Sequence, residues 1–218
     1  MNRQAISYKD PDAFVIKYND IYYRILKNRY ASTYNCLMKS GLYDELVEQN
    51  LIVEHKEVDS TFSDFGEDVY KVLLPEQILF INYPYEWSFT QRKDCIISFL
   101  KINIIALKYG MILKDASSFN HVFVGTNCKL IDTSSFVIYN EGNSWLAYKQ
   151  FCEEMLAPFL LMKYKGHEWS KLHRALFTGM PLKFVSNQLP YKSYFNFLAF
   201  WHIHLHSLFL NKKITNEK

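Results

Sequence analysis

The chain has 218 residues, of which 49% are hydrophobic and 17% aromatic, so it can bury a sizeable core and intrinsic disorder is excluded. Its 25 basic and 22 acidic residues leave a net charge of +3, which does not indicate a nucleic-acid partner. The four cysteines form no Cys-x-x-Cys pair, as expected of reduced thiols. Because the N-terminus lacks a signal-peptide pattern and no run is apolar enough to span a membrane, a cytoplasmic protein is expected.

The N-terminal part of the sequence predicts strands and short helices. Apolar runs at 13–17 and 21–26 flank Tyr-Asn-Asp, which predicts a β-hairpin. Ser32 is placed to cap a helix that continues to Leu42, and a second helical turn is expected at 44–49.

Two further strands are expected after a polar stretch. Residues 54–68 are polar and predict a loop. The apolar runs 69–74 and 77–83 then predict strands, which Pro75 separates and Pro84 ends.

Beyond this point the pattern predicts helices. Residues 90–109 carry apolar side chains at intervals of three and four, and Gly110 is placed to end that helix. A hairpin is expected between 121 and 131, with its turn at Gly-Thr-Asn. The segments 144–165 and 194–210 predict further helices.

The order of these elements predicts an α+β fold of two lobes. Residues 1–82 form a strand-rich N-lobe, 83–89 a hinge, and 90–218 a helical C-lobe. Two lobes of this kind leave a cleft in which a ligand can bind.

Asp115, Asn120 and Asp132 carry the pattern with the clearest chemistry. Asp115 and Asn120 lie five apart after a long helix, and Asp132 follows the predicted hairpin. Phosphoryl transfer needs a carboxylate that orients the hydroxyl, and a second carboxylate and an amide oxygen that hold Mg²⁺ against the phosphates of ATP. The alternative is two polar loop residues and a turn aspartate, because short motifs often occur by coincidence.

Four longer segments carry a resemblance to a known family. The chain is similar, from about Tyr22 to Pro190, to a bacterial family in which a kinase-like domain is often joined to a class I S-adenosylmethionine-dependent methyltransferase domain. The matching segments are Tyr83–Ser88, Leu113–Asn120, Leu130–Phe136 and Trp145–Cys152. The resemblance implies a bilobal protein-kinase-like fold, with a site pattern similar to those of protein kinases and aminoglycoside phosphotransferases.

The resemblance also implies roles for individual residues. Asp115 corresponds to the catalytic-loop aspartate, Asn120 to the metal-binding asparagine and Asp132 to the metal-binding aspartate. The backbone around Tyr83, Tyr85 and Glu86 corresponds to the hinge that meets adenine.

Three positions depart from the protein-kinase pattern. Leu113 replaces the catalytic-loop histidine, Ser117 replaces a lysine, and Thr133 stands where Asp-Phe-Gly has its phenylalanine. These departures favour a small-molecule kinase over a protein kinase.

Two residues are candidates for the cation that would bind the phosphates. A glycine-rich loop is absent, and either Arg24 or Lys71 can serve, with Glu45 or Glu48 as its helical partner. Arg24 is slightly favoured because it precedes the predicted helix.

Two functions are consistent with these residues. The first is an ATP- and Mg²⁺-dependent phosphotransferase acting on a hydroxyl of a small molecule, a glycan or a protein. The second is a pseudokinase, a nucleotide-binding scaffold or regulator of a partner such as a methyltransferase. The chain contains no Gly-x-Gly-x-Gly element, so methyl transfer by the chain itself is not expected.

Two other clusters have structural explanations. His202, His204 and His206 are expected to form a surface cluster rather than a metal site, with only the first and last sharing a helix face. Aromatic residues at helical spacing are expected in the core: Trp145, Tyr148, Phe151 and Phe159.

Overall fold

A computed structural model of the chain describes residues 10–58 and 68–210, together with the backbone of 2–3. The chain divides into two compact units, each described below by itself. Unit 1 comprises Met1–Ile81, Lys101–Leu113 and Phe123–Asn143, and unit 2 comprises Asn82–Leu100, Lys114–Val122 and Ser144–Lys218. The division into an N-lobe, a hinge and a C-lobe remains a prediction.

An antiparallel sheet forms the N-terminal part of unit 1. In the described residues its strand order is β1-β2-β3-β5-β4. The strands are β1 (Asn2–Arg3), β2 (Ala13–Tyr18), β3 (Ile21–Lys27), β4 (His55–Val58) and β5 (Val69–Pro75). The predicted β2–β3 hairpin is confirmed, and its turn residues Asn19 and Asp20 have φ of 48° and 61°, as a tight type I′ turn requires.

Two predictions in this region were wrong. The predicted loop from Glu54 contains the edge strand β4, which pairs with β5, while 59–67 lie outside the described residues. The predicted strand at 77–83 does not form, and Leu79 is fully exposed. The side chain of Gln77 instead bonds to both the N–H and the C=O of Tyr22, so these groups are not available to an incoming backbone.

Side chains on the two faces of the sheet form separate buried clusters. One face contributes Ala13, Leu26 and Leu73, which pack with Tyr30 and Tyr34 beside the sheet. The other face contributes Phe14, Ile16, Ile25 and Val72. This alternation is the period of two that a pleated strand imposes.

Two short helices follow β3 in the sequence. Helix α1 (Ala31–Lys39) begins one residue before Ser32, and its N-cap is Tyr30 without a side-chain cap, so the predicted Ser32 cap is wrong. Helix α2 (Leu42–Glu48) follows Gly41, whose φ of 88° allows the chain to turn between the helices.

Helix α3 (Phe89–Lys108) confirms the long predicted helix, and Gly110 with φ of 69° follows its end. The buried face of α3 includes Phe99 and Ile102, whereas the apolar residues Ile97 and Ile104 are exposed.

Short strands follow α3 in the sequence. Strands β7 (His121–Val124) and β8 (Asn127–Leu130) form the predicted hairpin. The antiparallel pair β6 (Met111–Leu113) and β9 (Phe136–Ile138) was missed, because three residues give too little periodicity to recognise.

Unit 2 is helical after residue 144. The chain forms α4 (Tyr148–Gln150), a π-helix at Phe151–Leu156 and α5 (Ala157–Lys165), where one helix was predicted. Further helices are α6 (Leu172–Ala175), α7 (Leu182–Gln188), α8 (Phe197–Ala199) and a π-helix at Phe200–Leu205, with 3₁₀ turns at His167–Lys171 and Tyr191–Phe195.

Aromatic stacking organises part of unit 2. The ring of Phe99 lies 5.7 Å from the rings of both Trp145 and Phe151, and Phe159 stacks on Phe89 at 4.8 Å. Of the four aromatic residues predicted in the core, Phe151 is buried, while Trp145, Tyr148 and Phe159 are half-buried.

The three C-terminal histidines are not a surface cluster, so that prediction was wrong. His204 is buried, stacks on Tyr194 at 3.8 Å and bonds to two serine hydroxyls. His202 and His206 both contact the ring of Tyr148, which confirms that these two share a face.

The structure is therefore mixed α/β, with a small strand-rich N-terminal region and helices after it. Among the described residues, no helix has the length and apolar character needed to cross a bilayer.

Candidate functional site

Asp115 of unit 2 lies at the centre of a hydrogen-bonded loop. Its Oδ1 accepts bonds from the Ser117 N–H at 2.9 Å and from Gln150 Nε2 at 2.6 Å. Its Oδ2 accepts a bond from Asn120 Nδ2 at 2.9 Å. The structure thus brings Asp115 and Asn120, which the sequence pattern pairs, into direct hydrogen-bond contact.

Local turn chemistry explains why the loop has this shape. The Ser117 hydroxyl accepts the Phe119 N–H at 3.3 Å and caps the 3₁₀ turn Ser118–Asn120. The Asn120 N–H donates to the Ser117 carbonyl at 3.1 Å. Serine and asparagine favour such turns because their short side chains bond to nearby backbone groups.

Gln150 and Glu154 belong to this network, and sequence reasoning missed both. Gln150 Nε2 also donates to Glu154 Oε1 at 3.1 Å, while Gln150 Oε1 accepts the Ala116 N–H at 2.9 Å. Burial raises the pKa of Glu154 to about 7, against the hydrogen bond from Gln150. The sequence carries no clear signal for either residue, because Glu154 follows another glutamate, Glu153, and an acidic pair on a helix is usually solvated.

Buried polar groups also lie near Phe119 in the same unit. The ring of His173 lies 5.3 Å from that of Phe119, and its Nδ1 accepts a bond from Arg92 Nη1 at 3.2 Å. Burial lowers the pKa of His173 to about 3 and that of Arg92 to about 10, so at neutral pH the imidazole is neutral and the guanidinium charged. Among the described residues, Arg92 Nε and Nη2 have no hydrogen-bond partner.

Asp132 of unit 1 is held by a second set of donors. It caps the 3₁₀ turn Thr133–Ser135, where its Oδ1 accepts the Ser134 N–H at 2.9 Å and its Oδ2 accepts the Ser135 hydroxyl at 2.9 Å. Arg24 Nη1 lies 2.5 Å from Asp132 Oδ1, and Arg24 Nη2 donates to the Ile131 carbonyl at 3.2 Å.

The electrostatics of Asp132 reflect these contacts. Burial opposes ionisation, but the Arg24 guanidinium and the bonds from Ser134 and Ser135 outweigh it, so the pKa of this carboxyl lies below its ordinary value. Asp132 is therefore an anion at neutral pH.

The other predicted cation and its glutamate have different partners. Lys71 Nζ lies 2.6 Å from Glu57 Oε2, on the neighbouring strand. Glu45 accepts bonds from Tyr109 Oη at 2.6 Å and from Gln49 Nε2 at 2.8 Å. The predicted partnership of Arg24 or Lys71 with a helical glutamate is thus replaced by the Arg24–Asp132 and Lys71–Glu57 pairs.

The predicted hinge residues form a capped turn in unit 2. Glu86 Oε2 accepts the Tyr83 N–H at 2.7 Å, and the rings of Tyr83 and Tyr85 stack at 5.5 Å. The Trp87 indole is buried and donates to the Asn82 carbonyl at 3.1 Å. The Tyr83 N–H, which was predicted to meet adenine, thus bonds to the Glu86 side chain.

Asp132 and Asn120 carry donor types that suit Mg²⁺, a carboxylate and an amide oxygen. Asp132 belongs to unit 1 and Asn120 to unit 2, and each side chain is held by hydrogen bonds within its own unit. Within 10–58 and 68–210, no three His, Cys, Asp or Glu side chains form a metal-binding group.

Comparison with known proteins gives one informative relative. No protein-family profile matches the chain. The chain is 27% identical over 220 residues to nodulation protein NoeA of Rhizobium meliloti (strain 1021). The match covers 99% of this chain and 45% of that protein, so the chain spans less than half of the relative's length.

Proposed function

We propose that the chain is an ATP- and Mg²⁺-dependent phosphotransferase with a bilobal protein-kinase-like fold. Asp115 would orient the acceptor hydroxyl, and Asn120 and Asp132 would hold the metal. Magnesium would supply charge neutralisation for the phosphates, while the protein supplies positioning.

The hydrogen-bonded pair of Asp115 and Asn120 is the observation that carries this proposal. Three donors hold the Asp115 carboxylate in place, and Asn120 is one of them. A catalytic carboxylate must be held in one orientation to accept a hydroxyl, since small misplacements cost rate. Gln150 comes from outside the loop, and the local turn does not require its bond to Asp115.

Arg24 has two contributions under this proposal. In the structure it neutralises Asp132, which keeps the carboxylate buried and ionised. With a magnesium nucleotide bound, Asp132 would be a ligand of the metal, and the Arg24 guanidinium would be free to contact a phosphate. Arginine suits that change because its planar fork matches carboxylate and phosphate alike.

A thermal-unfolding experiment tests the proposal. Wild type and Asp132→Ala are heated with ATP, with and without Mg²⁺, and Asp20→Ala, in an exposed turn, is the matched control. A site filled at about 100 times its Kd stabilises by about 2.7 kcal/mol. We expect a metal-dependent rise in Tm for wild type and the control, and none for Asp132→Ala. A metal-independent rise would contradict the proposed role of Asp132.

A pseudokinase scaffold is the second candidate, and a specific observation favours it. Arg24 and two serines donate to the Asp132 carboxylate in unit 1, and Glu86 accepts the Tyr83 N–H in unit 2. Groups that the phosphotransferase proposal assigns to metal and nucleotide thus already have protein partners. If no nucleotide changes the Tm of wild type, the scaffold is the better account, with a separate enzyme such as a methyltransferase as its partner.

The relative adds a biological direction. Its name connects that protein with nodulation, and we propose that the present chain acts in the same kind of process. A small molecule or glycan is the preferred acceptor, because the sequence after Asp132 lacks a recognisable activation segment.

A further inference from the structure

Gln150 connects two carboxylates with one amide. Its Nε2 donates both hydrogens, one to Asp115 Oδ1 at 2.6 Å and one to Glu154 Oε1 at 3.1 Å. Its Oε1 accepts the Ala116 N–H at 2.9 Å. The opposite amide orientation would place oxygen against both carboxylates and NH₂ against an N–H, so this orientation alone satisfies the network.

Glu154 is buried at the other end of this connection. It is 5% exposed, and its Oε2 has no hydrogen-bond partner in the described part of the chain. It lies in the π-helix Phe151–Leu156, and such segments are frequent at functional sites because they shift side chains out of ordinary helical register. A buried carboxyl with one unpaired oxygen costs stability, so its retention calls for an explanation.

We propose that Glu154 is a positioning residue for Asp115, acting through the side-chain amide of Gln150. This inference rests on the proposed phosphotransferase function of Asp115. Gln150 can hold Asp115 in place only while the Gln150 side-chain amide keeps one orientation. Glu154 supports that orientation, because it accepts the second hydrogen of the amide NH₂ group.

The protonation state of Glu154 sets the strength of this hold. The charged groups facing it are Asp115 on the loop and Glu153 on its own helix, the latter paired with Lys149. Burial and these negative charges raise the pKa of Glu154 to about 7, so the carboxyl changes charge near neutral pH. An ionised Glu154 binds the Gln150 amide more strongly than a neutral one does.

Nuclear magnetic resonance of the chain without nucleotide tests the inference directly. The Gln150 side-chain amide and the Ala116 N–H are followed from about pH 5 to about pH 9. Both resonances should shift with one midpoint near 7 in wild type and stay flat in Glu154→Gln. Glu153→Gln, at the adjacent position, should keep the titration, with its midpoint somewhat lower because a negative charge beside Glu154 is removed. Flat resonances in wild type, or an unchanged titration in Glu154→Gln, would overturn the inference.

Enzyme kinetics of two Glu154 variants distinguish a positioning role from a purely structural one. Glu154→Gln keeps an acceptor oxygen for Gln150, whereas Glu154→Leu removes it. We expect Glu154→Leu to lower kcat at least about 10-fold with little change in KM for ATP, and Glu154→Gln to restore most of that loss. Equal loss in both variants would overturn the positioning role. The resonance experiment needs no nucleotide, so it decides the inference even if wild type transfers no phosphate.

Discussion

Arg24 and Asp132 are joined by an ion pair although 108 residues separate them in the sequence. Each side chain is only 14% exposed, so the pair is largely removed from solvent. The pair ties strand β3 to the segment that follows β8, within one compact unit. It gives unit 1 a stabilising contact and places a cation directly on a proposed metal ligand.

Replacing Arg24 should destabilise the fold. Arg24→Met leaves the Asp132 carboxylate buried without its counter-ion, and breaking a buried pair in this way costs about 3 kcal/mol or more. Urea unfolding at neutral pH measures the loss. Lys71→Met is the matched control, because its pair with Glu57 is about 40% exposed and should contribute less than about 1 kcal/mol. Equal losses of unfolding free energy in the two variants would mean that the buried Asp132 carboxylate does not need Arg24 as its counter-ion.

His173 should make stability depend on pH. In the folded chain burial and the nearby Arg92 lower its pKa to about 3, whereas the unfolded value is about 6.5. As pH falls below about 6.5 the unfolded chain takes up a proton that the folded chain refuses, so stability decreases until the folded pKa is reached. The slope is at most about 1.4 kcal/mol per pH unit.

Urea unfolding between about pH 7.5 and about pH 5 checks this slope. His173→Gln cannot titrate and should reduce the slope by up to about 1.4 kcal/mol per pH unit, while other buried groups such as His121 and Glu154 still contribute. The exposed-site control His167→Gln should keep the wild-type slope. An unchanged slope in His173→Gln would show that other groups cause the pH dependence.

Gly179 should tolerate a side chain poorly. Its φ is 115°, and an added Cβ would lie 3.1 Å from Glu153 Cβ, so Gly179→Ala combines backbone strain with a clash. Gly142 has φ of 85° with nothing within 4 Å of an added Cβ, so Gly142→Ala has the strain alone, about 1 kcal/mol. Thermal unfolding should show the larger loss for Gly179→Ala. The reverse order would contradict the close packing of Gly179 on Glu153.

Glu86 should restrain nucleotide binding. Glu86→Ala frees the Tyr83 N–H that the side chain now caps, so adenine would no longer need to displace it. One hydrogen bond of about 1 kcal/mol corresponds to roughly fivefold tighter ATP binding, which calorimetry can measure. Weaker binding in this variant would mean that the capped turn itself forms the nucleotide site.

Much of the strand-rich region could be predicted from local pattern. The β2–β3 hairpin follows from two alternating runs around Asn19 and Asp20, which tolerate the left-handed backbone of the turn. Helix α3 follows from its apolar spacing and from Gly110. These features depend on residues close together in sequence, where periodicity and turn chemistry act directly.

Contacts between distant residues could not be predicted in the same way. Nothing in the sequence around Arg24 indicates its ion pair with Asp132. Likewise, the side chain of Gln77 bonds to the backbone of Tyr22 in place of a neighbouring strand. Asp115 and Asn120 were predicted together because five residues separate them. Gln150 and Glu154 join them only through tertiary packing, which no spacing rule expresses.

The most direct test of the proposed phosphotransfer is the rate of ADP formation from ATP with Mg²⁺, with water as the phosphoryl acceptor, by wild type and by Asp115→Asn. Asn keeps the shape of the side chain and can still accept the Gln150 amide, but it cannot take up the hydroxyl proton. We expect metal-dependent ADP formation by wild type and a loss of about 100-fold or more in a folded Asp115→Asn variant. Equal rates in the two proteins, or no metal-dependent ADP formation by wild type, would contradict the account.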